Sequence, residues 1–170
     1  AGEQQSKLTL ISNVNVFDGK TEKLHENMYV LVKDNLIETV SNEPLAVVQT
    51  DNVTLIDGGG RTLMPGLIDA HWHTYYANIP VSTLATGDMA EVGIAGMYGA
   101  RETLMRGFTT VRDIGGNSFA VKKFADAGTH PGPRMYISGP PISQTGGHFD
   151  FGGKNDVPSN SADALPYWER

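Results

Sequence analysis

The sequence predicts an α/β protein in two parts, a β-rich N-terminal segment and a segment of alternating strands and helices. Residues 7 to 63 carry short apolar runs between turn residues and show no helical period. From residue 64 onward the order becomes strand, helix, strand, helix, strand, which is typical of a parallel sheet with crossover helices. We therefore place one domain at 1–63 and a second at 64–170.

The N-terminal domain is predicted to be a small β-sandwich layer built from antiparallel strands. Lys33-Asp34-Asn35 fits a tight hairpin turn between two apolar runs. Asp57 and the three glycines that follow it are predicted to close the last strand. The predicted strands are 8–17, 28–32, 36–40 and 53–56.

The second domain is predicted to begin with a strand after Met64-Pro65-Gly66. Gly107 is placed to end the first helix, and Asn117 or Ser118 to cap a second helix that ends at Gly128. A doubly wound sheet and a (β/α)8 barrel both begin this way. The first strand is not followed by a Gly-x-Gly-x-x-Gly turn, which argues against a dinucleotide-binding fold. The predicted strands are 67–71, 108–112 and 134–138, and the first helix is 89–106.

Composition excludes several classes of function. The 170 residues carry a net charge of −6 with 13 scattered Lys and Arg, which argues against binding nucleic acid. A run of about 18 apolar residues, as a membrane span requires, does not occur. Because the sequence has no cysteine, a metal site must use His, Asp, Glu or a modified Lys.

His71-Trp72-His73 lies at the end of the first strand of the second domain. Residues two apart on a strand point to the same face, so the two imidazoles project together while Trp72 points into the helix layer. Two imidazoles on one face can bind one divalent ion. The alternative is an ordinary pair of strand histidines.

The segment from Leu63 to His73 resembles the first barrel strand of the amidohydrolase superfamily, with its Pro-Gly-hydrophobic-hydrophobic-Asp-x-His-x-His signature. The segment 107–113 resembles the second strand of that family. Thr145-Gly146-Gly147-His148 resembles a loop after the third strand in the branch of imidazolonepropionase-like enzymes and Xaa-Pro dipeptidases. The resemblance extends over about residues 7 to 155.

For the fold, the resemblance implies the start of a (β/α)8 TIM-type barrel, about three of its strands, preceded by the β-sandwich. A complete barrel takes about 250 residues, so this segment is incomplete alone. We expect the remainder of the same polypeptide, or a complementary chain, to complete the barrel. We also expect the complete protein to form a homo-oligomer, and the compartment, cytoplasmic or periplasmic or secreted, stays open.

For the site, the resemblance implies one or two Zn²⁺ ions, with His71 and His73 holding the more buried one. Other divalent metals remain open. The remaining ligands would be a carbamylated lysine, two histidines and an aspartate on later strands, so no catalytic general base is expected in this segment. The implied reaction is hydrolysis of a C–N bond in a dipeptide or N-acyl amino acid by a metal-bound hydroxide. The alternatives are a non-catalytic binding relative and a cyclic amidase or deaminase of the same superfamily.

Further residues are candidates around this site. Asp69 either orients a metal ligand or only satisfies nearby backbone groups. His148 is predicted to contact substrate, with a plain loop histidine as the alternative. Tyr75 and Tyr76 are placed to line the pocket, Tyr76 as a substrate contact, and surface or packing tyrosines are the alternative.

Three other features are predicted to be structural. Arg112 and Asp113, which are adjacent at the end of the second strand, are expected to form a structural ion pair, with a catalytic pair as the alternative. His25 and His130 are expected to be ordinary surface residues.

Overall fold

The computed structural model describes residues 6–144 and 147–148, and the chain divides into two compact units. The first unit is Ala1–Pro65 and the second is Gly66–Arg170. The division therefore lies between residues 65 and 66, whereas the sequence analysis placed it between 63 and 64. The strands are β1 (Leu8–Val16), β2 (His25–Lys33), β3 (Leu36–Ser41), β4 (Val53–Leu63), β5 (Leu67–Trp72), β6 (Phe108–Asp113) and β7 (Arg134–Ile137). The helices are α1 (Val81–Thr86), α2 (Met89–Met105) and α3 (Phe119–Asp126).

The first unit contains a four-stranded sheet in the order β3-β2-β1-β4. The hairpin is confirmed, because Lys33 pairs with Leu36 across a turn in which Asp34 has a φ of 54°. The prediction that all strands run antiparallel is wrong, since β4 pairs with β1 in parallel. The chain leaves β3 at one edge and returns through residues 42–52 to the other edge, which makes β4 run with β1. Within residues 6–65 this sheet is the only layer.

The glycines after Asp57 do not close β4 as the sequence predicted, because the strand continues to Leu63. The run instead forms an irregularity in the pairing with β1, and Gly59 and Gly60 have φ of 59° and 76°. The Asp57 carboxylate accepts a hydrogen bond of 2.9 Å from the Gly59 amide. Left-handed backbone of this kind favours glycine, so the run bends the strand where a turn was expected.

The second unit is a parallel three-stranded sheet in the order β5-β6-β7, and the predicted strand-helix-strand-helix-strand order is confirmed. One sheet face is buried under the helices, and the opposite face carries exposed Ile68, Arg112 and Tyr136. The buried core consists of Trp72, Tyr75, Leu84, Val92, Ala100, Val111, Val121 and Met135. Among the described residues, every helix is too short or too polar to cross a bilayer.

The helix ends differ in how well the sequence located them. Gly107 ends α2 as predicted, with a φ of 95° and its amide donating to the Leu104 carbonyl. Ser118 precedes α3, but its hydroxyl makes no capping hydrogen bond there. The short helix α1, which follows Pro80, was not predicted from the sequence.

Helix α2 packs through a face of small residues. Its buried residues are Val92, Gly96, Gly99, Ala100 and Thr103. The two methionines at its ends, Met89 and Met105, are 48% and 67% exposed. A side chain at Gly96 would meet Tyr75, so the glycine permits the close approach.

Candidate metal centre at the end of strand β5

The end of β5 sends Trp72 and the neighbouring histidines in different directions. Asp69 pairs with Val111 and Trp72 with Asp113, so three residues of β5 advance against two of β6. Trp72 is 6% exposed within the core, which confirms that it points into the helix layer. His71 is exposed and the His73 side chain is 23% exposed, so both imidazoles remain accessible outside that core.

The two imidazoles lie side by side. Their ring centroids are 5.4 Å apart and the ring planes meet at 76°. Two rings that each bind one tetrahedral ion through a nitrogen at about 2.0–2.1 Å would have centroids roughly 5 Å apart. The separation of the two rings of His71 and His73 therefore fits a shared divalent ion.

His73 is held through its Nδ1 atom. This nitrogen lies 3.5 Å from the carbonyl oxygen of Gly115 and 4.0 Å from Oδ1 of Asp113. A ligand histidine characteristically donates its non-binding ring N–H to a carbonyl or carboxylate. The contacts of Nδ1 thus leave Nε2 as the nitrogen available for a metal. The Tyr76 ring packs edge-on against His73, with centroids 5.3 Å apart.

Asp69 makes a local backbone contact. Its Oδ1 accepts a hydrogen bond of 3.0 Å from the backbone amide of His71. This is the second of the two roles left open by the sequence. Orientation of a metal ligand by Asp69 stays a prediction.

Asp113 is the most heavily bonded carboxylate near the histidines. It is 1% exposed and accepts hydrogen bonds from the backbone amide of Thr74 at 3.3 Å, the hydroxyl of Ser118 at 2.7 Å and the amide of Gly115 at 3.2 Å. The Thr74 hydroxyl donates to it as well. A buried carboxylate is tolerated only when donors of this kind replace water.

The predicted ion pair between Arg112 and Asp113 is wrong. Neighbours along a strand point to opposite faces, so the two side chains separate. Arg112 lies on the exposed face, where its Nε donates to the carbonyl oxygen of Ala70 at 2.7 Å. Asp113 points into the helix layer.

The two tyrosines after the motif have different environments. Tyr75 is 7% exposed, and its hydroxyl donates to the Asn117 carbonyl at 3.1 Å. Burial, with a smaller contribution from the Asp113 carboxylate, raises the pKa of Tyr75 to about 12. Tyr75 is therefore a packing residue, whereas Tyr76 is half-buried and touches both the core and His73.

The remaining histidines are spread over the chain. His148 is exposed, and residues 145–146 of its predicted loop lie outside the described residues, so its substrate contact stays a prediction. His25 lies at the surface as expected, 3.3 Å from Asp18. His130 is not an ordinary surface residue, because it is half-buried with Nε2 2.8 Å from the Met97 carbonyl oxygen.

Within residues 6–144 and 147–148, no group of three or more His, Cys, Asp or Glu side chains is arranged to hold a metal. The two imidazoles supply half of a tetrahedral ligand set. Their chemistry, their separation and the Nδ1 contacts of His73 suit a zinc-type ion, and further ligands must come from elsewhere.

The model of the amidohydrolase family matches residues 62–168, which include β5, β6 and β7. The chain belongs to the amidohydrolase family. It is 34% identical over 155 residues to an ochratoxinase of Aspergillus niger, a match covering 89% of this chain and 32% of that protein.

Solved structures agree with this membership. A prolidase crystallised with N-methylphosphonate-L-proline superposes with a TM-score of 0.77 at 32% identity, over 94% of this chain and 40% of that one. A Xaa-Pro dipeptidase with bound methionine gives a TM-score of 0.74 at 25% identity, over 91% of this chain and 39% of that one. The chain thus spans about a third to two fifths of the amidohydrolases that it matches.

The sequence did not indicate that Asp113, Thr74 and Ser118 meet beside His73. Asp113 lies two positions after the buried Val111, so the strand period would have placed it on the helix-facing side. Its donors come from two separate loops of this amidohydrolase chain, and only the folded structure brings them together.

Proposed function

We propose that the complete polypeptide containing this chain is a metal-dependent hydrolase of C–N bonds, and that His71 and His73 bind a zinc-type divalent ion in it. The observation that carries the proposal is the pair of adjacent imidazoles at the end of β5, one of them held through Nδ1. Parallel barrels build their active sites at this end of the strands.

Similar proteins support a proposal for the substrate class. The similar structures include a prolidase with a proline phosphonate and a Xaa-Pro dipeptidase. We therefore propose dipeptides or N-acyl amino acids as substrates. Tyr76, against His73, and His148 are proposed to contact the substrate.

The residues of this chain would bind the metal and the substrate and orient them, rather than transfer protons. A bound metal would supply a water acidified towards pH 7 and polarisation of the scissile carbonyl. His71 and His73 would present their imidazoles from one strand end, and Trp72 would anchor that strand end in the core. The general base is proposed to lie on a later strand of the complete barrel.

The test compares His71→Ala and His73→Ala in the complete polypeptide with His25→Ala as a matched control. His25 is a surface histidine of the first unit, so its loss should leave metal content and hydrolysis unchanged. We expect about two divalent ions per wild-type site and the loss of at least one in each of the other variants.

Metal content is measured by inductively coupled plasma mass spectrometry. Hydrolytic activity is measured on Xaa-Pro dipeptides, N-acyl amino acids, cyclic amides and aminopurines. Full metal retention in both motif variants would contradict the assignment. Metal binding without turnover of any amide would support the non-catalytic relative. Turnover of cyclic amides or aminopurines alone would support the cyclic amidase or deaminase.

A further inference from the structure

The segment that follows β5 is fixed at several points by one buried carboxylate. Asp113 accepts from both the backbone amide and the hydroxyl of Thr74, the residue directly after His73. Thr74 is itself fully buried. The backbone on the C-terminal side of His73 is therefore tied to the end of β6.

The same carboxylate also orders the group that meets the His73 ring. Asp113 Oδ1 accepts from the Gly115 amide at 3.2 Å, and the Gly115 carbonyl oxygen lies 3.5 Å from His73 Nδ1. The Ser118 hydroxyl, fully buried before α3, donates to Asp113 Oδ2 at 2.7 Å. The carboxylate thus holds the turn whose carbonyl faces the imidazole.

Asp113 does not serve a charged partner on its own strand. Arg112 points to the other face and donates to Ala70. Among the described residues, the Lys, Arg or His nitrogen that comes within 4.0 Å of the Asp113 carboxylate is Nδ1 of His73, at 4.0 Å from Oδ1. The described hydrogen bonds of the carboxylate come from Thr74, Gly115 and Ser118. Two of these residues lie next to the imidazole of His73, Thr74 as its neighbour in sequence and Gly115 through its carbonyl oxygen.

We propose that Asp113 is a positioning residue that fixes the orientation and tautomer of His73, with Nδ1 carrying the proton and Nε2 left for metal. The part of this proposal that concerns metal rests on the proposed function. Groups that orient a ligand histidine typically change metal affinity by about 10- to 100-fold when they are altered.

The experiment uses Asp113→Asn in the complete polypeptide, with Asp126→Asn as the control. Asp126 is an exposed aspartate paired with Lys122 on α3, so its replacement tests the loss of a carboxylate without the contacts at His73. Cobalt(II) affinity is measured by competition with a chelator, and the visible spectrum of the cobalt form reports ligand geometry. Circular dichroism establishes that each variant is folded.

We expect Asp113→Asn to lower cobalt affinity by about 10- to 100-fold and to alter the cobalt spectrum, whereas Asp126→Asn changes neither. A folded Asp113→Asn protein with wild-type affinity and spectrum would overturn the proposal. If Asp113→Asn does not fold, Thr74→Val and Ser118→Ala test the proposal instead, because each removes one hydroxyl that donates to Asp113 and keeps the carboxylate. Weakened cobalt binding in these variants supports the proposal, and wild-type binding overturns it.

A second readout separates this proposal from the proposed function. The tautomer of His73 is read from its ¹⁵N chemical shifts in metal-free protein. We expect the Nδ1-protonated form in the wild type and its loss in Asp113→Asn. If the wild-type protein bound no metal but showed this change, the metal site would fail and the positioning role would stand. An unchanged tautomer would overturn the positioning role.

Discussion

Replacing Gly96 by alanine adds a methyl group against the buried ring of Tyr75. The new Cβ would lie 2.5 Å from Cε1 and 3.0 Å from Cδ1 of that ring. Ordinary carbon contacts are about 3.5–4.0 Å, so ring and helix must move apart by roughly 1 Å. The ring is held at its far end, where the Tyr75 hydroxyl donates to Asn117.

The magnitude combines three terms. Overpacking a buried site costs about 1–3 kcal/mol. Loss of the Tyr75 hydrogen bond adds about 1 kcal/mol, and the better helix propensity of alanine returns about 1 kcal/mol. We expect Gly96→Ala to lower the free energy of unfolding by roughly 1–3 kcal/mol.

The same helix offers a matched control. A Cβ at Gly93 would meet nothing within 4 Å, so Gly93→Ala should raise stability by about 0.5–1 kcal/mol. Urea denaturation of the complete polypeptide, followed by circular dichroism, measures both variants. A Gly96→Ala protein as stable as Gly93→Ala would refute the close packing of α2 against Tyr75.

Three further predictions concern other parts of the chain. Met135→Ala should lower stability by about 2–5 kcal/mol in urea denaturation because Met135 is 1% exposed, whereas Ala at the adjacent, 59% exposed Tyr136 should cost far less. Gly107→Ala should lower the melting temperature in calorimetry, because a φ of 95° strains any residue with a Cβ, and an unchanged value would contradict this helix end. Hydrogen bonds from the Lys20 and Thr21 amides lower the pKa of Asp18 from 3.8 to about 2, so their stabilising effect is present above pH 3.8 and is lost as pH falls through about 2. An NMR titration of the Asp18 carboxyl carbon with a midpoint near 3.8 would contradict it.

The alternating strands and helices of the second unit could be predicted because local signals mark them. Gly107 marks the end of α2, and the hydrophobic pattern changes from that of a helix to that of a strand where β6 begins. Helix α1 was missed because it is six residues long and has no side-chain cap. A single turn or two of helix carries too little periodicity to be recognised.

Other features depend on contacts between distant segments. The parallel pairing of β4 with β1 is decided by the path of residues 42–52, which no local pattern reveals. The buried face of α2 contains Gly96 because Tyr75 packs there. A hydrophobic period alone favours larger side chains at such positions.

The candidate site was predictable only where it depends on residues close together in sequence. His71 and His73 are two apart and stand in a distinctive string, so their pairing could be predicted. Asp113 was assigned to the wrong partner, since adjacency in sequence suggested Arg112. Its actual donors, Thr74 and Ser118, converge through the pairing of β5 with β6 and the start of α3.

Anomalous diffraction at the zinc edge, from crystals of the complete polypeptide grown with zinc, shows directly whether His71 and His73 bind the metal. We expect an anomalous peak about 2.0–2.1 Å from one imidazole nitrogen of His71 and from Nε2 of His73. Zinc bound elsewhere, with both imidazoles free of metal, would contradict it.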